Sequence, residues 1–302
     1  MDFLSRITIV CFAGSFSVAL LLEVLRLVKR VPLRFALTIG WTVAGLFAHT
    51  VYLLRLAQSE ISRVPAESAL STFVLSSWYD WCLLAAWGVA AVYLGLLIRR
   101  PQSAYGLFLL PLVLCLIAVA VGLADQTPFA RASAEQIWIT IHGVVLLAGT
   151  ISVSLGFAAG SMYLFQARRL KQKQPISPRI KLPPLEGLQR FNRDALIWSL
   201  SCLAIGLLSG IVLNIRLQTT GGSMIAWSDP AVLSSLTLFS WLVLVAIFEW
   251  QYRPAREGRK VAYLTIASFV FLVLVLGFVL TAGHGTKSGS VSALTQPGSR
   301  SS

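Results

Sequence analysis

The stretch IWITIHGVVLLAGTISVSLGFAAGSMYLFQARRLKQK, Ile137–Lys173, joins a long apolar run to a knot of cations, Arg168, Arg169, Lys171 and Lys173. A hydrocarbon core of about 30 Å is crossed by roughly 20 helical residues. The run from Ile137 to Phe165 exceeds that without one Asp, Glu, Lys or Arg. Backbone in lipid must satisfy its own hydrogen bonds, which leaves helix or closed barrel, and the run has none of the alternation of a barrel strand. It reads as a transmembrane helix whose one histidine, His142, lies about a turn from its start.

The same test applied outward finds seven more spans: Phe3–Val28, Phe35–Leu54, Trp78–Ile98, Ala104–Leu123, Ala195–Ile215, Pro230–Trp250 and Val261–Ala282. The expected fold is all-α and polytopic, one eight-helix transmembrane domain over residues 1–285, with a Ser/Gly-rich tail, 286–302, that is expected to be disordered. Composition agrees. The chain is 56% hydrophobic and 12% charged, about half the charged fraction of soluble domains. A net charge of +13 raises the question of nucleic acid. The cations sit in short clusters between apolar runs, however, a pattern of topology and not of a binding patch.

Those clusters set the expected orientation. Lys and Arg gather after spans one, three, five and seven (Lys29, Arg30, Arg34; Arg99, Arg100; Arg168 to Lys181; Arg253 to Lys260), while the alternate loops carry sparse, mixed charge. The positive-inside rule makes the first set cytoplasmic and both termini outward, in the bacterial cytoplasmic membrane. Asp2 precedes the first span and its basic cluster follows it, the reverse of a cleavable leader, so that span is expected to be retained. On this layout the chain's three histidines, His49 near the end of span two, His142 and His284 just past span eight, all fall in the outward half.

Ionisable groups at membrane depth are candidates for function. Neutral imidazole is the commonest metal ligand, and a haem iron needs one or two such nitrogens, an apolar pocket and cations for its propionates. The outward histidines, Trp227 in the loop QTTGGSMIAWSDP, and the outer cations Arg55, Arg131 and Arg216 supply those parts. The plainer alternative is that each histidine is an interfacial residue bonded to a neighbour.

Other features carry less chemistry. Cys11, Cys82, Cys115 and Cys202 form no CxxC pair and read as buried, inert thiols. Gly156–Gly160 and Gly206–Gly210 are small-xxx-small pairs that report close helix packing. Glu23 and Arg26 have the spacing of a helical ion pair, and Glu249 sits within reach of Arg253. ISPRIKLPPLEGLQRFNRD reads as a loop followed by a short surface helix. No Ser/His/Asp set, phosphate-cradling glycine loop, HExxH or CxxCH is present, so no catalytic residue is assigned and covalent c-type haem is not expected on the chain. The rival classes are a cofactor-free scaffold or regulatory subunit and a small-molecule transporter. Transport is disfavoured because no span is broken at mid-depth and no inverted repeat is evident.

Taken in order, FAHTVYLLR (47–55), SWYDWCLLAAW (77–87), ITIHGVVLLAG (139–149), SMYLFQARRLK (161–171), LPPLEGLQR (182–190) and the terminal GHG around His284 resemble the integral-membrane cytochrome c assembly proteins of the CcsA/HemX type, relatives of the CcmC haem-handling proteins. The resemblance implies non-covalent haem b at the outer face, with His142 and His284 as axial ligands flanking a tryptophan-rich loop, and His49 on a route by which haem arrives. It also implies apocytochrome c and a membrane partner subunit, without which such a chain attaches no haem; at most it is one subunit of a haem lyase or synthase. Of the family's loop pattern only Trp227, Asp229 and Pro230 remain, which points to a divergent, HemX-like member that binds haem or supports assembly without performing attachment. Trp227 and Asp229 are then part of the lid, and Arg55 or Arg216 hold propionates. Axial imidazoles must be neutral, so acidification below about pH 6 is expected to release haem.

Overall fold

A computed structural model describes residues 8–28, 33–61, 77–101, 103–124, 136–172, 183–219, 230–251 and 258–282. Eight helices occupy them: α1 (Ile9–Val28), α2 (Arg34–Ile61), α3 (Trp78–Arg99), α4 (Gly106–Gly122), α5 (Gln136–Lys171), α6 (Leu185–Thr219), α7 (Pro230–Gln251) and α8 (Gly258–Ala282). Five of them, α1, α2, α3, α5 and α6, are long and apolar enough to cross a membrane. The apolar parts of α4, α7 and α8 are shorter. At 17 residues, α4 also carries Pro111; with a rise of 1.5 Å per residue it falls a little short of a 30 Å core.

Two helices run further than their apolar cores. The region around Leu185–Asp194, expected as a separate surface helix, is continuous with the span behind it. Pro183 and Pro184 precede the helix, where a missing N–H costs nothing, and the Pro184 carbonyl accepts from Leu188 N at 3.1 Å. A solvent-exposed Glu186–Arg190 pair at 2.9 Å spans the first turn, and no breaker follows. At the far end of α2 the helix continues to Ile61, which places His49 about three turns from its end and deeper than the expected span boundary implied. The start of α3 is fixed by a capping box. Ser77 Oγ accepts from Asp80 N at 3.2 Å, and Ser77 N donates to Asp80 Oδ2 at 3.1 Å.

The helices pack in two groups. Phe12 and Phe16 of α1, Leu83, Val89 and Tyr93 of α3, and Leu109 and Leu110 of α4 belong to one buried core. A second joins Val153 of α5, Leu196 and Leu203 of α6, and Leu238 and Leu242 of α7. They meet where α3 packs on α5 through Trp81, Ala85 and Leu147, and the first core itself reaches Ala158 and Met162 of α5 and Leu188 of α6. Outside, large apolar side chains such as Phe47, Trp198, Leu208, Leu244, Trp250 and Leu274 are exposed in numbers that suit lipid and not water.

Lipid gives helices no hydrophobic reason to associate, so close packing rests on small residues. Glycines set the register of α5. A methyl placed on Gly210 would meet the His142 ring, one on Gly206 would meet Leu146, and one on Gly149 would meet Cys202. On the other flank, Gly156 faces Thr265 and Gly160 lies against the Ala262 carbonyl. Thus α5 runs antiparallel to both α6 and α8 in a fixed register. The four cysteines are free; Cys82 is buried and Cys202 half-buried, whereas Cys11 and Cys115 are exposed on the helix surfaces, contrary to the expectation that all four are interior.

Candidate functional site

His142 stands in the second turn of α5, half-buried against α6. Its Nδ1 lies 2.8 Å from the Gly206 carbonyl oxygen. A carbonyl only accepts, so Nδ1 carries the proton and donates. Ser209 Oγ, 3.3 Å from Nδ1, donates in turn to the same carbonyl at 2.8 Å. The ring is therefore held in one orientation and one tautomer, and Nε2 keeps its lone pair. A backbone or carboxylate acceptor on the far nitrogen is the arrangement by which proteins orient a metal-ligating imidazole. Gly210 makes the room: a Cβ there would be 3.0 Å from His142 Cε1.

The Gly206–Gly210 pair, expected to report packing alone, thus seats the histidine as well. Gly206 and Ser209 were not among the expected site residues, because a backbone carbonyl leaves no mark in sequence. The available signal was the coincidence of a small-xxx-small pair and a histidine at matching depths on adjacent antiparallel helices.

His49 is fully buried in α2. Its ring stacks on Phe12 of α1, centroids 4.2 Å apart and planes 4° from parallel, and meets Phe16 edge-on at 6.3 Å. Neither ring nitrogen has a hydrogen-bond partner. The next residue, Thr50, accepts from Trp87 Nε1 at 2.9 Å, and Tyr52 meets Tyr79 hydroxyl to hydroxyl at 2.6 Å. These contacts tie the late part of α2 to the first half of α3. Trp81 and Leu147 pack together in turn. The late part of α2 and the early parts of α3 and α5 therefore share one side of the bundle, so His49 and His142 lie on the same side. α3 packs against both α2 and α5, the helices that carry them.

Arg55 is half-buried two turns beyond His49, and Arg216 is exposed in the last turn of α6, which the antiparallel register carries to the start of α5. Trp227, Asp229, His284 and Arg131 lie outside the described residues, as do the tail 286–302 and the side chains of the Glu249–Arg253 pair. Among the described residues, no three His, Cys, Asp or Glu side chains converge on a common point. A multi-carboxylate or thiolate metal centre is thus not built from them. Paired single imidazoles are a different matter.

A helical bundle faced with lipid-suited side chains and holding an oriented imidazole in one half defines an integral membrane protein with a ligand-ready histidine. The family model described as Cytochrome C assembly protein matches residues 75–285, and the chain belongs to that family, with a role in cytochrome c biogenesis. Comparison with curated proteins and with solved structures returned no match.

Proposed function

We propose that the chain handles haem during cytochrome c maturation, with His142 Nε2 as one axial ligand and His284 as the other. The observation that carries this reading is the His142 Nδ1–H to Gly206 bond, which leaves Nε2 free to ligate. The register of α5 against α8 supports the pairing. Counting back from Gly160 to His142, and the same distance onward from Ala262, reaches Leu280, two residues short of the end of α8. His284 follows that end after one residue, Gly283, in sequence.

The residues fit the group in kind. Haem brings an iron that accepts two imidazole nitrogens and a porphyrin face that needs apolar cover. His142 is aimed by α6, and Arg216 near the start of α5 offers a cation for a propionate, as does Arg55 on α2. Trp227 and Asp229 fall to the lid on the strength of the sequence resemblance. His49, buried with both nitrogens unpartnered, suits a transient ligand on an access route, since an imidazole without partners is costly to keep. By the distribution of Lys and Arg, the histidine side faces outward from a bacterial cytoplasmic membrane. Apocytochrome c and a partner membrane subunit are the expected recipients. The chain presents haem and does not attach it alone.

Absorbance of the detergent-purified protein from haem-replete cells tests the reading. A Soret band near one haem per chain, with a bis-histidine signature lost in His142→Ala and in His284→Ala, is expected. A colourless preparation assigns the chain to the scaffold class, and an unchanged bis-histidine spectrum in either variant overturns the ligand pair.

A further inference from the structure

Helices α1 and α2 precede the residues matched by the family, and His49 lies where they pack together. Its ring is covered from the α1 side. Phe12 stacks on it and Phe16 meets it edge-on, and both phenyl side chains are themselves fully buried. Gly45, one turn before His49 on the same face of α2, brings the two helices close: a Cβ there would lie 2.9 Å from Phe16 Cε1 and 3.1 Å from Ser15 Cβ. An imidazole enclosed in this way, with neither nitrogen hydrogen-bonded, can ligate nothing until its cover moves. On the other face of α1, Val10, Gly14, Ser17 and Leu21 are exposed, so one helix separates the ring from lipid on that side.

The two ends of α1 are held differently. Near its last turn the buried Glu23 carboxylate lies 3.5 Å from Arg26 Nη1 and 3.3 Å from Arg34 Nη1 of α2. A buried ion pair is costly to break, because parting it leaves an uncompensated charge. Toward Phe12, among the described residues, the serine hydroxyls turn back on α1 itself: Ser15 Oγ donates to the Cys11 carbonyl and Ser17 Oγ to the Ala13 carbonyl, both at 2.8 Å. Phe12 and Phe16 are thus seated by packing. In a bilayer that seat is cheap to leave, since acyl chains are as apolar as the side chains they replace. The easy motion is a swing of α1 about its Glu23 end.

We propose that α1 is a gate for haem: it pivots about the Glu23–Arg34 pair, lifts Phe12 and Phe16 off His49, and admits a porphyrin from the bilayer between α1 and α2. Such a gate rests on the haem reading above and adds to it the side of entry and the moving part. Haem suits the opening because its porphyrin edge is at home in lipid, while its iron takes an imidazole nitrogen that the closed state leaves without a partner.

A disulfide across the gate tests it, in the full-length protein with the four native cysteines replaced. Ser15→Cys with Gly45→Cys sets two Cβ atoms within reach of a bridge. The haem-free protein in liposomes is oxidised or reduced, cleared of reagent and offered haem carried in the lipid, and the Soret band is followed in time. The reduced form is expected to load, and the oxidised form to load only after reduction. Phe12→Leu, in the otherwise native chain, removes one aromatic stack and keeps an apolar side chain. Its loading rate should rise about two- to tenfold, the worth of that stack, with the final spectrum unchanged. Equal loading of the oxidised and reduced forms, or a Phe12→Leu rate no faster than wild type, overturns the gate and leaves the His142–His284 pair standing. Should the double cysteine variant fail to fold, Phe12→Leu decides alone. A wild-type protein that gains no Soret band overturns the ligand pair and the gate together.

Discussion

At the scale of single residues, the His142 ring owes its setting to atoms that carry no side-chain identity: the Gly206 carbonyl and the space left by Gly210. A methyl on Gly210, 3.0 Å from Cε1, would push the ring by a few tenths of an ångström. If the proposed haem ligation holds, Gly210→Ala should therefore weaken haem binding by about 1–3 kcal/mol, the usual cost of overpacking a tight contact, while leaving the protein folded; haem titration followed at the Soret band measures it. Ser209→Ala removes the longer contact to Nδ1 and keeps the shorter one, so its effect should be well below that of Gly210→Ala in the same titration. His142 was legible in sequence as an ionisable group at membrane depth. Its orientation was not, because a tautomer is set by a partner 64 residues further along the chain. His284, Trp227 and Asp229 rest on sequence alone.

At the scale of helices, glycine contacts sort into firm and yielding. Gly160 faces the backbone carbonyl of Ala262, where a Cβ would sit at 3.2 Å with nothing able to rotate away. Gly160→Ala should force α5 and α8 apart and lower stability by about 1–3 kcal/mol, read as a drop in Tm in detergent. Gly88→Ala is the control: its methyl would meet Ile151 Cδ1, the far end of a flexible side chain that can turn aside, so its Tm should fall less. The positions of the eight helices were readable from hydropathy, although in α4, α7 and α8 the apolar part is shorter than a membrane span. Their true ends were not. Helix continues past the apolar core wherever no breaker stops it, as at Ile61, Lys171 and Leu185.

At the scale of the whole molecule, the grouping of α1–α4 against α5–α8 lay beyond the sequence, since nothing in a hydropathy pattern says which apolar face meets which. Charge, by contrast, makes an orientation claim that can be checked. With the four native cysteines replaced, Lys171→Cys should resist a membrane-impermeant maleimide in intact cells and react after permeabilisation. Thr219→Cys, at the other end of the α5–α6 pair, should react without it. The reverse pattern would put the histidine side in the cytoplasm and overturn the proposed outer-face haem site.

The lone ring of His49 has an energetic corollary. Its neighbours are phenyl rings and its nitrogens bond to nothing, a deficit of about 1–3 kcal/mol for a buried polar group. Substituting leucine would fill the same space without that penalty, so His49→Leu should melt at a higher temperature than wild type in the haem-free state. A sequence shaped only for durability would have made that exchange; this one keeps the less comfortable side chain between its first two helices.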